Sequence, residues 1–89
     1  MMTLKELRQS YNFTQKELAK LFDVAERTIY MNEKNSTNIK DTLIKKYMLA
    51  FGVKYEDIFL GSEYEIFVFI EKRKASVIQK FELHAKNSA

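Results

Sequence analysis

Side chains able to do covalent or metal chemistry are scarce in this chain. Histidine occurs once, at His84, and cysteine is absent. No thiolate nucleophile, disulfide or thiolate zinc site is available, so a metal site would have to be built from carboxylates alone. There is no nucleophile–base constellation, no Gly-rich phosphate loop and no cluster of metal ligands. An enzyme is therefore not expected, and no cofactor, metal or small-molecule ligand is called for. Hydrogen-bonding and ionic chemistry remain: 15 Lys and Arg stand against 12 Asp and Glu in 89 residues, a net charge of +3. That balance permits a nucleic-acid partner without identifying one. The lack of cysteine fits a reducing cytoplasm. No apolar run approaches the ~18 residues of a membrane span, and MMTLKELRQS lacks the apolar stretch of a secretory signal.

With no proline and only two glycines, segmentation falls to capping residues. Thr3 with Glu6, and Thr14 with Glu17, read as two capping boxes, in which a hydroxyl and a carboxylate each take an orphan backbone N–H at a helix start. Leu4, Leu7 and Tyr11 then make one stripe of a helix over about 4–11; Leu18, Leu21 and Phe22 make that of a second. A third helix runs over about 26–34 with Ile29 inward. After the polar connection 35–38 (NSTN), Leu43, Ile44, Tyr47, Met48 and Phe51 mark a fourth over 39–51, stopped by Gly52. Tyr55–Phe59 reads as a short fifth helix, with Ile58 and Phe59 inward. Beyond Gly61, Tyr64, Ile66, Val68 and Ile70 alternate, which favours an extended segment over 64–69 followed by a helix over about 71–86. Ile66, Phe69, Ile70, Val77 and Phe81 also stand near helical spacing, and periodicity alone does not separate the two. The chain thus divides into a domain over 1–61 and a C-terminal extension over 62–89.

The informative unit is QKELAKLFDVAERTIYMNEK, residues 15–34. Two short helices joined by a three- or four-residue turn must pack closely at a steep angle. Such packing needs a small residue in the first helix, an apolar residue in the turn and an apolar anchor in the second. Ala19, Val24 and Ile29 occupy those places, with Leu18 and Phe22 beside them.

This stretch resembles the Cro/CI-type, or XRE-type, helix-turn-helix of lambda-repressor-like regulators. The likeness extends from Leu4 to about Leu60 through LKELRQSYNFTQKELAKLF, VAERTIYMNEK and LIKKYMLAFGVKYEDIF. EYEIFVF after DIFLG is further similar to small phage-encoded or prophage regulators of Gram-positive hosts. The resemblance implies an all-α, five-helix domain and a sequence-specific, repressor-like transcription regulator. Double-stranded DNA would be the partner, read by a homodimer with the helix 26–34 in the major groove. Carried over by position, Ala25, Glu26, Arg27, Tyr30 and Met31 face base edges. Arg27 fits a bidentate contact to guanine or a phosphate contact; Glu26 fits a cytosine amine or favourable charge at the helix start. Asn12, Thr14, Gln15, Thr28, Lys34, Asn35, Ser36, Asn38 and Lys40 are the phosphate candidates, with Thr37 among them in the loop. Arg8 and Glu33 match a pair that bridges the first and third helices. Two departures stand out. Asp23 replaces the usual turn glycine. Asn32 occupies an inward position normally bulky and apolar, so either it finds a backbone partner or the helix end rotates to bury Met31.

The extension offers three roles: a dimer interface, a segment packed back on its own domain, or a swapped arm. KRK at 72–74 reads as a solvated basic face, with a further phosphate contact as the alternative. The competing function is a protein-interaction module, antitoxin-like or an anti-repressor partner. The chain is too short for the self-cleaving peptidase domain of larger repressors, so induction by self-cleavage is not expected.

Overall fold

The computed structural model describes residues 1–87. In chain order it contains β1 (Met2–Thr3), α1 (Leu4–Ser10), α2 (Gln15–Phe22), α3 (Glu26–Lys34), α4 (Asp41–Phe51), β2 (Ile58–Phe59) and α5 (Glu63–Asn87). Three of these helices begin in the same way. Thr3 Oγ1 accepts from the Glu6 N–H at 3.2 Å while Glu6 Oε1 accepts from the Thr3 N–H at 3.0 Å. Thr14 and Glu17 repeat this reciprocal pair at the head of α2, and Ser62 and Glu65 at the head of α5. Each box satisfies two donors that helix geometry leaves orphaned. Backbone N–H bonds from Thr14 and Ser62 hold the Glu17 and Glu65 carboxyls below the ordinary range. For Glu6, burial acts upward but is outweighed by the bonds from Arg73 and Thr3, so its pKa is also lowered.

Apolar side chains at helical spacing converge on one core: Leu4 and Leu7 from α1, Leu18, Ala19 and Phe22 from α2, Ile29 from α3, Leu43, Tyr47 and Phe51 from α4, and Ile58. Burying each large member contributes about 1.5–3 kcal/mol. Tyr47 lies at the centre, edge-on to Phe22 at 5.1 Å and tilted against Phe51 at 6.0 Å. The Lys46 ammonium donates to the Phe22 carbonyl at the end of α2, where a cation suits the helix dipole. No helix among the described residues is long and apolar enough to cross a membrane.

Element bounds and types depart from the sequence expectation in four places, and Tyr11 and Leu21, expected on the stripes of the first two helices, are exposed. The first helix ends at Ser10, with Tyr11 at its C-cap, and the fourth begins at Asp41 rather than 39. The expected fifth helix is a single 3-10 turn, Tyr55–Asp57, followed by β2. Here Ile58 and Phe59 give their backbones to β1 in a parallel pair, Met2 opposite Ile58 and Thr3 opposite Phe59. Finally, 64–69 is not extended: it opens the continuous 25-residue helix α5. The Ser62–Glu65 box starts that helix, and packing along one face outweighs the β-leaning composition.

The Ser36 clasp fixes where α5 departs. Ser36 N–H and Oγ–H both donate to the Gly61 carbonyl, at 2.8 and 3.2 Å, and the Gly61 N–H donates to Ser36 Oγ at 2.8 Å. Gly61 sits at a close approach: a Cβ there would stand 3.0 Å from Glu65 Cβ and 3.3 Å from the Phe59 ring, so its neighbours would have to give by a few tenths of an ångström. Ser36→Ala leaves the buried Gly61 N–H unsatisfied and lowers stability by about 1–2 kcal/mol in urea unfolding. Past the clasp, Phe69 stacks on Phe59 at 4.2 Å and 9°. Arg73 lies 4.9 Å over the Phe69 ring, donates to the Met1 carbonyl at 3.0 Å and pairs with Glu6. The KRK cluster is therefore not simply a solvated face, because its central residue fastens α5 to α1. From Val77 to Lys86 every residue is exposed, and the molecule measures 53 × 24 × 21 Å.

Candidate nucleic-acid interface

The turn before α3 is made by Asp23, which adopts φ 56° and ψ 49°. Asp tolerates this left-handed conformation better than most residues other than glycine. The chain then enters α3 at Ala25, whose side chain makes no capping bond; negative charge in that first turn comes from Glu26. Ile29 is fully buried, Ala19 is buried in α2, and Val24 packs against the core from the turn. These three positions set the steep packing of α2 on α3. Held by Ile29, α3 turns Ala25, Glu26, Arg27, Tyr30 and Met31 outward. Tyr30 remains 47% and Met31 45% exposed, large values for apolar side chains on a packed helix.

Asn32 resolves its two alternatives in favour of a backbone partner. Its amide donates to the Thr28 carbonyl at 2.8 Å, one turn back, and Met31 stays outside. The amide is thereby satisfied without rotating the helix end.

Behind this face, the buried Arg8 and Glu33 form a bidentate pair, Nε to Oε2 at 2.6 Å and Nη2 to Oε1 at 3.0 Å. Arg8 also donates to the Phe13 carbonyl at 2.8 Å, and Gln15 Nε2 donates to Glu33 Oε1 at 3.0 Å. The Glu33 bonds raise the Arg8 pKa further against the opposing effect of burial. One carboxylate thus ties together α1, the head of α2 and the end of α3. Gln15, expected at a phosphate, has one amide hydrogen committed to this network.

The phosphate candidates lie on both flanks of α3. On one side a groove brings Arg27, Thr28 and Met31 together with Asn38 and Lys40. On the other, a shallow concavity gathers Asn12, Thr14 and Gln15 beside Glu26; Lys34 shares a third with Gln15 and Tyr30. Asn35 is exposed but engaged within its own loop, its Oδ1 accepting from the Thr37 N–H at 3.0 Å and from the Thr37 hydroxyl. Ser36 is a correction: at 1% exposure, with its hydroxyl committed to Gly61, it cannot reach a phosphate. Two residues on these flanks escaped the sequence reading. Lys16 lines the concavity beside Asn12, and Thr42 lines the groove beside Lys40. The signal for Lys16 is its place next to Gln15 in the first turn of α2; for Thr42 there is none short of the fold.

The Helix-turn-helix family model matches residues 4–58 of this chain. An uncharacterised HTH-type transcriptional regulator of Archaeoglobus fulgidus is 41% identical over 70 residues, covering 79% of this chain and 94% of that protein. Another, from Methanocaldococcus jannaschii, is 40% identical over 62 residues, 70% of this chain and 94% of the relative. A second regulator so described from Archaeoglobus fulgidus is 35% identical over 63 residues, 71% of this chain and 90% of its own length. All three relatives are archaeal, so the narrower likeness to phage-encoded regulators of Gram-positive hosts gains no support from them.

Proposed function

The chain belongs to the Helix-turn-helix family and is a DNA-binding transcriptional regulator, and we propose that it acts as a repressor, two copies reading a two-fold operator with one α3 in each half-site. The observation that carries this reading is the arrangement around α3. A row of exposed residues from Ala25 to Met31 stands on a helix fixed from behind by Ile29 and the Arg8–Glu33 pair. Polar and basic side chains flank it on both sides. A helix presented in this way enters the major groove with its N-terminal residues at base edges. In that pose Arg27 takes guanine O6 and N7, and Tyr30 and Met31 lie against thymine methyl groups. Asn12, Thr14, Gln15, Asn38 and Lys40 hold the two phosphate backbones and set the register. Residues 1–61 form the DNA-binding part, and a bound dimer covers half-sites about 34 Å apart.

Selection from a random duplex pool tests this. The expected outcome is enrichment of a two-fold sequence with strong guanine preference at one position of each half-site. Affinity for that site should fall linearly on logarithmic axes as salt rises, by about 0.9 in slope per phosphate neutralised. Enrichment of no sequence, or binding indifferent to salt, overturns the proposal.

A further inference from the structure

We propose that α5 is an interaction surface for a second copy of this chain, and that the two helices pair antiparallel, crossing between Glu71 and Lys74. The inference rests on the homodimer reading above and adds the surface and its orientation. Along α5 the positions 63, 67, 70, 74, 77 and 81 are spaced alternately four and three apart, so they form one seam. They carry Glu63, Phe67, Ile70, Lys74, Val77 and Phe81, with Ile78 alongside. Phe67 is 60%, Val77 63% and Phe81 72% exposed. Large apolar side chains that recur in water along one seam, on either side of Lys74, mark a contact surface rather than a solvated face. Residues 64–73 rest on the domain through Phe69 and Arg73, whereas 77–86 are exposed at every position. A helical stretch of that length is marginal in water without packing.

Charge selects the orientation. From Glu63 to Glu71 the helix carries three carboxylates and no cation; from Lys72 to Lys86 it carries five Lys and Arg against the single Glu82. Parallel pairing would lay acidic half on acidic half and basic half on basic half. It would also set Lys74 of each copy against Lys74 of the other in the middle of the seam. Antiparallel pairing lays the acidic half on the basic half and brings each Lys74 to the other copy's Glu71. It also places the exposed second half of each helix against the domain-supported first half of its partner. Phe67 of one copy then faces Ile78 of the other.

The natural absence of cysteine allows a direct test on the full chain. Ile78→Cys and Phe67→Cys chains are mixed under mild oxidation and examined by non-reducing electrophoresis. The expected result is a disulfide between the two different chains and none in Ile78→Cys alone. Two Ile78 positions would lie about 16 Å apart along antiparallel helices, beyond the ~7 Å reach of a disulfide. A strong Ile78→Cys self-link shows parallel pairing and overturns the proposal, as does failure of the mixed link. Independently, sedimentation without DNA should find a dimer in the unmodified chain. Phe81→Glu should raise its dissociation constant roughly thirtyfold or more, the effect of losing a large aromatic anchor and setting a carboxylate against the Glu63 end of the partner helix, with the domain's thermal unfolding kept. A monomeric unmodified chain, or a dimer indifferent to Phe81→Glu, overturns it. These results are separate from operator selection: enrichment of a two-fold site without the mixed link leaves the DNA reading intact and removes this surface. The mixed link without enrichment does the reverse.

Discussion

Replacing Arg8 with alanine should lower the unfolding free energy by about 3–5 kcal/mol, among the largest losses available to a single polar substitution in this domain. The magnitude comes from what remains. Glu33 stays buried, loses both guanidinium contacts, and keeps only the Gln15 amide. An uncompensated buried carboxylate is costly, whereas removing both charges together is not. The double substitution Arg8→Met with Glu33→Leu should therefore recover most of the loss in urea unfolding. DNA affinity should not follow stability. The double variant lacks the link from α1 and Gln15 to the end of α3, so it should fold well and bind its operator more weakly. If Arg8→Ala costs less than about 1 kcal/mol, the pair behaves as an exposed ion pair and the bracing argument fails.

Arg27→Ala should weaken operator binding by about 1–3 kcal/mol, roughly five- to 150-fold, and the loss should be confined to one base position. Anisotropy titrations against operators varied one base at a time give the check. The unmodified protein penalises replacement of the guanine, while the variant treats all four bases alike there. Arg27→Lys should not restore the preference, because an ammonium lacks the planar fork. Lys40→Ala provides the contrast: a uniform loss over every operator, with a shallower salt slope by about one unit. An Arg27→Ala variant that weakens all operators equally places the side chain on a phosphate instead.

Much of this arrangement is legible in the residues, because its causes are local. Two capping boxes and a 3.6-residue stripe locate α1 and α2 without reference to anything distant. Ala19, Val24 and Ile29 announce α3 through the demands of close helix packing. The misses have non-local causes. Ser36 looks like any polar loop residue, and only the return of Gly61 from a distant part of the chain converts it into a buried clasp. Ile58 and Phe59 satisfy a helical stripe as well as a strand, until β1 offers its backbone. The tail is different, since its decisive signal was local and in plain view. Ser62 and Glu65 repeat the motif that marks the first two helices, beside the period-two alternation of YEIFVFI. A reciprocal cap fixes a helix start more firmly than alternation over so short a segment fixes a strand.

The pairing of Met2–Thr3 with Ile58–Phe59 has a consequence for the order in which the chain acquires its shape. Helices α1 and α2 start from local capping boxes and α2 packs on α3 across a short turn, and local contacts of this kind form early. The β1–β2 bridge joins strands separated by nearly the whole domain, so it meets the entropy of closing a long loop and forms after the helices are in place. The platform under α5 is completed only then, since Phe59 and Met1 are part of it. A nascent chain accordingly holds a nearly finished reading head before its tail helix has a seat. The proposed pairing of two tails therefore waits on the closure of each copy's own β1–β2 bridge.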